Sequence, residues 1–592
     1  MKKKIETYAD WIFGGLLCIS VFMYLSRINM GMADLDESFY LTIPFRMTQG
    51  DALIVDEWHV SQLAGCLLYP LMKVYLAVVG GTEGIVLNFR YIYLFFQIAV
   101  TVTGYLLLRR KNSWLAVAVS LIYMLFTPFG IKALSYNTMG LMAVYLFAVL
   151  NVVKTEKPKL QYAFMGLLLA AAVLCNPYMV LLYVGWSVLT VLCQLGKMVC
   201  RDRKRGSEGC HRAAAVFSWE KLLFLTGGAG ILLVYFLCVQ LSRTGLKEML
   251  YNLPFVMSDS AHKAKTLRSI THAFTYYVDV YPLYFWIWAV CVLPGLLIKR
   301  FSAVFFSVLS VASVWLTLYF AFELTDGIGY AAIMLPLTMA GLAAFLFTRE
   351  KRWELFGGWL IGVFYGFCMG ASSNNGIYTF VNACTVSSAV SVLIIADYAS
   401  EAPVRRLAAA KTEAGVWLKR VLSRLSVASL ILLIAVQLFA EGYILLNHVF
   451  WESGPESMTE RIEAGPLKGL TTTPYKKNRY MVNYENALSL REQEGENVLF
   501  YCRFISGYLL FDDWNNGGSS AWLADSVVDL NDPRMLEYAA RHPEKKPDVI
   551  YVDTESTTVW TDEQWEAYCV ENGYRLEAFQ KGGYALIDAA AK

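Results

Sequence analysis

The sequence predicts an α-helical, multispanning membrane protein that ends in a hydrophilic α/β domain. Of its 592 residues, 57% are hydrophobic and 17% are charged, whereas about a quarter of the residues in a soluble protein are charged. Apolar stretches near twenty residues long recur along the chain, each enough to cross roughly 30 Å of hydrocarbon. The net charge of +3 comes without a basic patch, which argues against a nucleic-acid partner.

The first apolar run, residues 10–29, follows the basic start MKKK and has no small-residue cleavage site after it. We therefore expect an uncleaved signal anchor. Later runs bring the expected number of spans to about thirteen. They lie at 85–108, 113–129, 133–153, 160–175, 178–196, 220–242, 280–298, 301–321, 329–347, 354–370, 378–397 and 425–447.

The apolar segment 61–79 decides the topology. If it does not cross, the loops on the amino-terminal side after residue 84 carry 23 lysines and arginines, and those on the other side carry 6. Positive residues favour the cytoplasmic side, and this arrangement places the 23 on the same side as the MKKK start. If 61–79 crossed, they would lie on the opposite side from MKKK. We therefore expect 61–79 to lie flat on the outer surface. Residues 30–84 then form one extracytoplasmic loop, and the odd number of spans places the carboxy terminus outside as well.

Three regions follow from this pattern. Residues 1–84 hold the anchor and first outer loop, residues 85–447 form the multispanning domain, and residues 448–592 form an outer α/β domain. In the last region NVLFYC and DVIYVD read as buried strands, TDEQWEAYCVENG as a helix and YRLEAFQKGGYALIDA as a hairpin. Cys502 and Cys569 would pair only in an oxidising compartment, which the sequence leaves open.

Three acids follow the anchor in MADLDESFY. Asp34 and Glu37 have the spacing of a helix capping box. Asp36 has no such role, and it is either a solvated surface acid or a general base for transfer to a hydroxyl. A second polar cluster, Asp56, Glu57 and His59, either shapes an acceptor site, binds a divalent ion or is an exposed turn.

A resemblance to a known family rests on four features in residues 1–155. They are the anchor followed by DESFY, then RMTQGD, a membrane-lying helix and the span GIVLNFRYIYLFF. Together they resemble the GT-C glycosyltransferases, in the branch of the protein O-mannosyltransferases and lipid A aminoarabinose transferases. The resemblance implies that Asp36, followed by Glu37 in a DE motif, is the catalytic base, with Asp34 as a competing acid. Arg90 matches a family arginine, and Ser135, Tyr136 and Asn137 of LSYNTMG resemble a polar motif.

The resemblance also implies the partners. The donor would be a polyprenyl-phosphate sugar in the membrane, used without a metal or other cofactor, and the acceptor a lipid, glycan or protein. A leaving phosphate needs cations. Besides Arg90, the candidates are Lys132 beside the SYN motif and one outer loop that contains Arg243, Lys263, Lys265 and Arg268. Contact with anionic lipid is the alternative role of that loop. The turn SSNNGIY, residues 372–378, is either a sugar-binding element or a simple turn.

The resulting hypothesis is an inverting glycosyltransferase of the cell membrane with its active site on the extracytoplasmic face. It would act in cell-envelope glycan or glycoprotein modification. One alternative is a transporter or flippase of lipid-linked sugars, which favours mid-membrane charges and internal repeats. Another is a non-catalytic envelope assembly protein whose outer domain binds partners.

Overall fold

The computed structural model describes residues 2–153, 155–200, 217–258, 267–323, 329–373, 375–401, 413–449, 452, 454–523, 530–553 and 560–589. Its first part is helical. The helices are α1 Lys2–Leu25, α2 Phe39–Gln49, α3 Gly65–Val79, α4 Ile85–Leu108, α5 Ser113–Leu125, α6 Tyr136–Val152, α7 Pro158–Cys175, α8 Val180–Cys200, α9 Trp219–Leu241, α10 Leu246–Met257, α11 Leu267–Val280, α12 Pro282–Leu297, α13 Ser302–Phe322, α14 Met334–Phe347, α15 Trp353–Ala371, α16 Gly376–Ala383, α17 Thr385–Glu401 and α18 Glu413–Asn447.

Eleven helical segments in the described ranges are long and apolar enough to cross a membrane, and three shorter apolar helices accompany them. One of the eleven is Gln62–Val79, which contains α3. Both ends of this segment contact the hydrophilic residues 448–592, here called the carboxy-terminal segment. Before α3, the Trp58 N–H donates to the Ser519 carbonyl at 2.7 Å; after it, Thr82 Oγ1 donates to the Leu509 carbonyl at 2.7 Å.

A helix with both ends on the same hydrophilic segment does not carry the chain across a bilayer. The contacts therefore agree with the prediction that 61–79 lies on the surface. The ten other long segments and the three shorter helices, α5, α6 and α12, then match the thirteen spans expected. Residues 30–84 and the carboxy-terminal segment lie at the same end of the helix bundle.

The carboxy-terminal segment contains a five-stranded mixed sheet. Its strands are β3 Asn497–Tyr501, β4 Asn515–Asn516, β5 Val549–Asp553, β6 Tyr574–Ala578 and β7 Gly583–Asp588, in the order β4-β3-β5-β7-β6. A two-stranded ladder joins β1 Glu460–Arg461 to β2 Thr471–Thr472, and the helices are α19 Pro474–Leu490, α20 Pro533–Arg541 and α21 Asp562–Asn572. Every residue of β3 and β5 is buried, and α21 ends at Gly573, whose φ is 77°. The predicted strands, helix and hairpin are thus confirmed.

The hydrophobic core continues from the bundle into the carboxy-terminal segment. One cluster contains the span residues Tyr93 and Tyr145 together with Phe500 and Tyr551 of the sheet. A smaller cluster covers the other face of the sheet with Trp565 and Leu586. Cys502 and Cys569 are both buried free thiols, each in a different cluster.

Candidate active site

A cavity of about 630 Å³ lies where the helix bundle meets the carboxy-terminal segment. Its walls come from distant parts of the chain. They include the first loop with Asp34 and Asp36, the start of α6 with Tyr136 and Asn137, the turn with Ser373 and Asn375, and α19 with Lys476 and Arg479. Arg503 after β3, Trp522 after β4 and Asp553 at the end of β5 also line it. Two of the predicted acids, Asp34 and Asp36, therefore meet residues of the SYN motif and of the SSNNGIY turn at one place.

Asp36 occupies a single π-helical turn, Asp34–Ser38, that leads into α2. It is half-buried, and its Oδ1 accepts a hydrogen bond from Tyr40 Oη at 3.2 Å. The Tyr40 ring in turn packs edge-on against the Tyr136 ring, with 5.7 Å between centroids. The carboxylate is thus held at the cavity wall by an aromatic pair.

Asp34 does not cap a helix, so the capping-box interpretation is wrong. Ala33 occupies the N-cap position, and no side chain caps the turn. Instead, Asp34 Oδ1 accepts hydrogen bonds from Ser38 Oγ and from the backbone N–H of Ser506 at 3.2 Å. Burial raises the pKa of Asp34 to about 6, and the two donors only partly offset that effect.

Glu37 is held by Arg90 rather than by a helix end. Arg90 Nε donates to Glu37 Oε1 at 2.8 Å and Nη2 donates to Oε2 at 2.5 Å. The remaining N–H groups of Arg90 bond the carbonyls of Ile28, Met30 and Gly31 at 2.9 Å. All five guanidinium donors are used. Arg90 faces an acid as expected, but in this arrangement it has no donor left for a phosphate.

Lys132 lies in the loop between α5 and α6. Phe129 and Gly130 before it have φ values of 56° and 73°, so the chain turns sharply there. The side chain is 4% exposed. Burial, with the charge of Arg90 adding to it, lowers the pKa of the Lys132 ammonium to about 7, although Glu37 opposes the shift. Its neighbour Ile131 lines the cavity.

Of the other predicted phosphate ligands, Arg243 is described and does not line the cavity. Arg243 Nη2 donates to the Met47 carbonyl at 3.1 Å, and its guanidinium lies 4.5 Å from the centre of the Tyr69 ring. Lys263 and Lys265 lie outside the described residues, and the side chain of Arg268 is also outside them.

The cluster Asp56, Glu57 and His59 is buried away from the cavity, so the exposed-turn interpretation is wrong. Asp56 Oδ1 pairs with Lys545 Nζ at 2.5 Å, and Glu57 Oε2 pairs with Arg46 Nη1 at 2.7 Å. The His59 ring stacks on Trp522 with 5.0 Å between centroids. Asp56 and His59 thus fasten the first loop to the carboxy-terminal segment, and Glu57 does so by accepting a hydrogen bond from the Ala521 N–H at 3.1 Å. Across the described residues, no group of three or more His, Cys, Asp or Glu side chains is placed to hold a metal ion.

Sequence reasoning missed the cations of the carboxy-terminal segment. Lys476 Nζ lies 3.1 Å from Glu452, Arg479 Nη2 lies 2.8 Å from Asp553 Oδ2, and Arg503 is exposed at the cavity. The basic stretch YKKNRY, residues 475–480, was the one available signal. Nothing in the local sequence indicates that this stretch lies beside the first loop, which is more than 400 residues away in the chain.

The fold and site define a class: a multispanning helical membrane protein whose acid- and cation-lined cavity is closed by a hydrophilic α/β segment. No protein-family model matches the chain, and no curated protein matches it. The structure is similar to the crystal structure of ArnT from Cupriavidus metallidurans bound to undecaprenyl phosphate. That similarity covers 98% of each chain at 11% identity and a TM-score of 0.41. A likeness with so low a TM-score carries no argument, so function is inferred from the cavity itself.

Proposed function

We propose that this protein is a membrane glycosyltransferase that moves a sugar from a polyprenyl-phosphate donor to an acceptor hydroxyl at the extracytoplasmic face. One observation carries the proposal. Asp36 lines the same cavity as Lys476, Arg479 and Arg503, at the end of the bundle that meets the carboxy-terminal segment. A carboxylate for proton abstraction and cations for a leaving phosphate are what the transfer requires.

Asp36 is the best candidate base among the three acids. Both oxygens of Glu37 accept from Arg90, so its charge is already neutralised. Asp34 is buried and accepts two hydrogen bonds, and its pKa of about 6 leaves it partly protonated near that pH. Asp36 is more exposed than either and has a Tyr40 hydroxyl to fix its orientation.

The proposed step balances without a further reactant. Asp36 takes the proton of the acceptor hydroxyl as the acceptor oxygen attacks the anomeric carbon. The new glycosidic C–O bond forms on the face opposite the bond to phosphate, which breaks with inversion. The phosphate leaves with the lipid and carries both bonding electrons, and the cations of the cavity stabilise its added negative charge.

The extracytoplasmic location is part of the proposal. Among the loops after residue 84, the sequence places 23 lysines and arginines in those on the amino-terminal side and 6 in those on the other side. The positive-inside rule therefore favours the cavity on the outer face. A lipid-borne donor would reach the cavity from the outer leaflet, in keeping with a role in cell-envelope glycan or glycoprotein modification.

The test uses the purified full-length protein and a panel of undecaprenyl-phosphate sugars, with water as the acceptor hydroxyl and release of free undecaprenyl phosphate as the readout. We expect Asp36→Asn to lower release by about 10²–10⁴-fold, the usual contribution of a general base. Asp562→Asn is the matched control, because this exposed carboxylate at the start of α21 does not line the cavity. Full activity of Asp36→Asn would end the proposal.

A further inference from the structure

A second cavity, of about 740 Å³, lies beside the first and contains none of the predicted site residues. Its walls are the end of α2, the turn after α3, the far end of α19 and residues 509–515. A Cβ built on Gly80 or Gly81 of the turn would meet no atom within 4 Å, so this side of the cavity is open.

Two segments of chain border both cavities. On α19, Arg479 and Tyr480 line the first cavity, and Leu488 and Arg491 line the second. At 1.5 Å per residue, Tyr480 and Leu488 are about 12 Å apart along the helix. The segment that begins at Phe504 in the first cavity likewise reaches Leu509 and Leu510 in the second.

Between the cavities stand two tyrosine rings. Tyr480 and Tyr484 stack with 6.1 Å between centroids and an interplanar angle of 15°, and each faces a different cavity. The two spaces therefore lie end to end along α19, which suits a ligand longer than a single sugar.

The two cavities differ in charge. The second is lined by three carboxylates, Glu83, Asp512 and Asp513, and by one guanidinium, Arg491, which already pairs with both aspartates. The excess of carboxylates would repel a phosphate-bearing ligand there, whereas the first cavity balances three cationic side chains, Lys476, Arg479 and Arg503, against the three carboxylates of Asp34, Asp36 and Asp553.

The remaining polar and aromatic groups suit a hydroxyl-rich ligand. Thr48, Gln49 and Asn515 supply hydroxyl and amide groups, and Tyr484 and Trp514 supply aromatic surface. The side chains of Asp512 and Asp513 are 65% and 71% exposed, so their carboxylates can accept hydrogen bonds from a ligand's hydroxyl groups in addition to pairing with Arg491. A concave site with aromatic walls and a few polar groups is typical of small-ligand recognition.

We infer that the second cavity binds the acceptor, and that the acceptor is a carbohydrate chain of uncharged or basic sugars. Its bound part lies along α19, and its reacting hydroxyl extends past Tyr480 toward Asp36. This inference rests on the proposed glycosyltransferase function and names the chemical class of its acceptor.

The test measures binding by calorimetry to the full-length protein in lipid nanodiscs. The probes are three hexasaccharides: maltohexaose (uncharged), the glucosamine hexamer (basic) and the galacturonate hexamer (acidic). We expect the uncharged or the basic hexamer to bind at least about tenfold more tightly than the acidic one. A second arm presents the same sugar as a glycolipid headgroup in the nanodisc. Tighter binding there than to the free hexamer assigns a lipid-linked acceptor, and equal binding assigns a free chain; either result supports the inference.

The matched variants are Gly81→Trp, which fills the second cavity, and Gly245→Trp, which is equally open but lies before α10. We expect Gly81→Trp to weaken hexasaccharide binding by about tenfold or more and Gly245→Trp to leave it unchanged. Donor cleavage with water in place of the acceptor, measured on the unaltered protein as lipid-phosphate release, separates this inference from the proposed function, because it does not require the second cavity. No binding of any hexamer at 10 mM, preference for the acidic hexamer, or full binding by Gly81→Trp would each overturn the inference.

Discussion

Arg90 and Glu37 form a two-contact ion pair, Nε to Oε1 at 2.8 Å and Nη2 to Oε2 at 2.5 Å, with both side chains at most 4% exposed. The pair ties α4 to the turn that holds Asp36. Arg90 also bonds the carbonyls of residues 28–31, so one guanidinium fixes the end of the first span and the start of the first loop.

Glu37→Gln should therefore destabilise the protein by about 3–5 kcal/mol, because it leaves a buried guanidinium without its counter-charge. Thermal unfolding of the purified variant measures this. A double variant, Glu37→Gln with Arg90→Met, should lose less than the sum of the two single losses. If Arg90 instead bound the donor phosphate, Arg90→Met would raise the donor KM and leave thermal stability unchanged.

A second prediction concerns the buried ammonium group of Lys545. It pairs with Asp51 at 2.8 Å and Asp56 at 2.5 Å, and its side chain is 12% exposed. Lys545→Met should cost about 3–5 kcal/mol of unfolding free energy. The adjacent Lys546 is a matched control, because it is 50% exposed and pairs with Asp588 near the surface. Lys546→Met should change stability by no more than about 1 kcal/mol, and equal losses in the two variants would contradict the structure.

Lys132 gives a pH-dependent prediction. Its pKa is about 7 in the folded protein and 10.5 as the ordinary value, so folding favours the neutral amine. The unfolded chain binds more protons between these values, and stability rises with pH from about 7 to 10.5. Below pH 7 the full penalty of a buried ammonium remains. Lys132→Met should thus raise the unfolding temperature most at pH 6 and least near pH 10. An equal shift at both pH values would contradict the buried-ammonium interpretation.

The topology gives a labelling prediction. Gln49 and Gly81 lie on either side of α3, and both line the second cavity next to the carboxy-terminal segment. Cysteines placed at these two positions should react with a membrane-impermeant thiol reagent from the same side of intact cells. A cysteine placed at Lys111, in the loop between α4 and α5, should react only after the cells are permeabilised. Labelling of Gln49→Cys and Gly81→Cys from opposite sides would show that α3 crosses the membrane.

The apolar helices and the surface position of 61–79 could be predicted because charge and hydropathy act over whole segments. The contrast of 23 against 6 basic residues in the later loops argued against a span at 61–79. By length and composition alone this segment qualifies as a span. Asp36 could be singled out because the capping-box spacing did not include it and because it matches the acid of the DE motif in the family that the sequence resembles.

The rest depends on contacts between distant parts of the chain. Asp34 was misread as a cap because its partner, the N–H of Ser506, lies 472 residues away. VDEWHV resembled an exposed turn because Lys545 and Trp522 cannot be placed beside it from sequence. For the same reason the cations of α19 were missed, and Arg90 was assigned a phosphate when its donors were already used by the backbone and Glu37.

The walls of the first cavity include residues 32–36 and, more than 400 residues later, residues between 475 and 553. Ribosomes make the protein from the amino terminus at about 5–20 residues per second, so Asp36 emerges many seconds before Arg503 or Asp553. A nascent chain already inserted in the membrane would have Asp36 without the cationic wall. If the proposed function is correct, the order of translation delays transfer until residues 475–553 have been made.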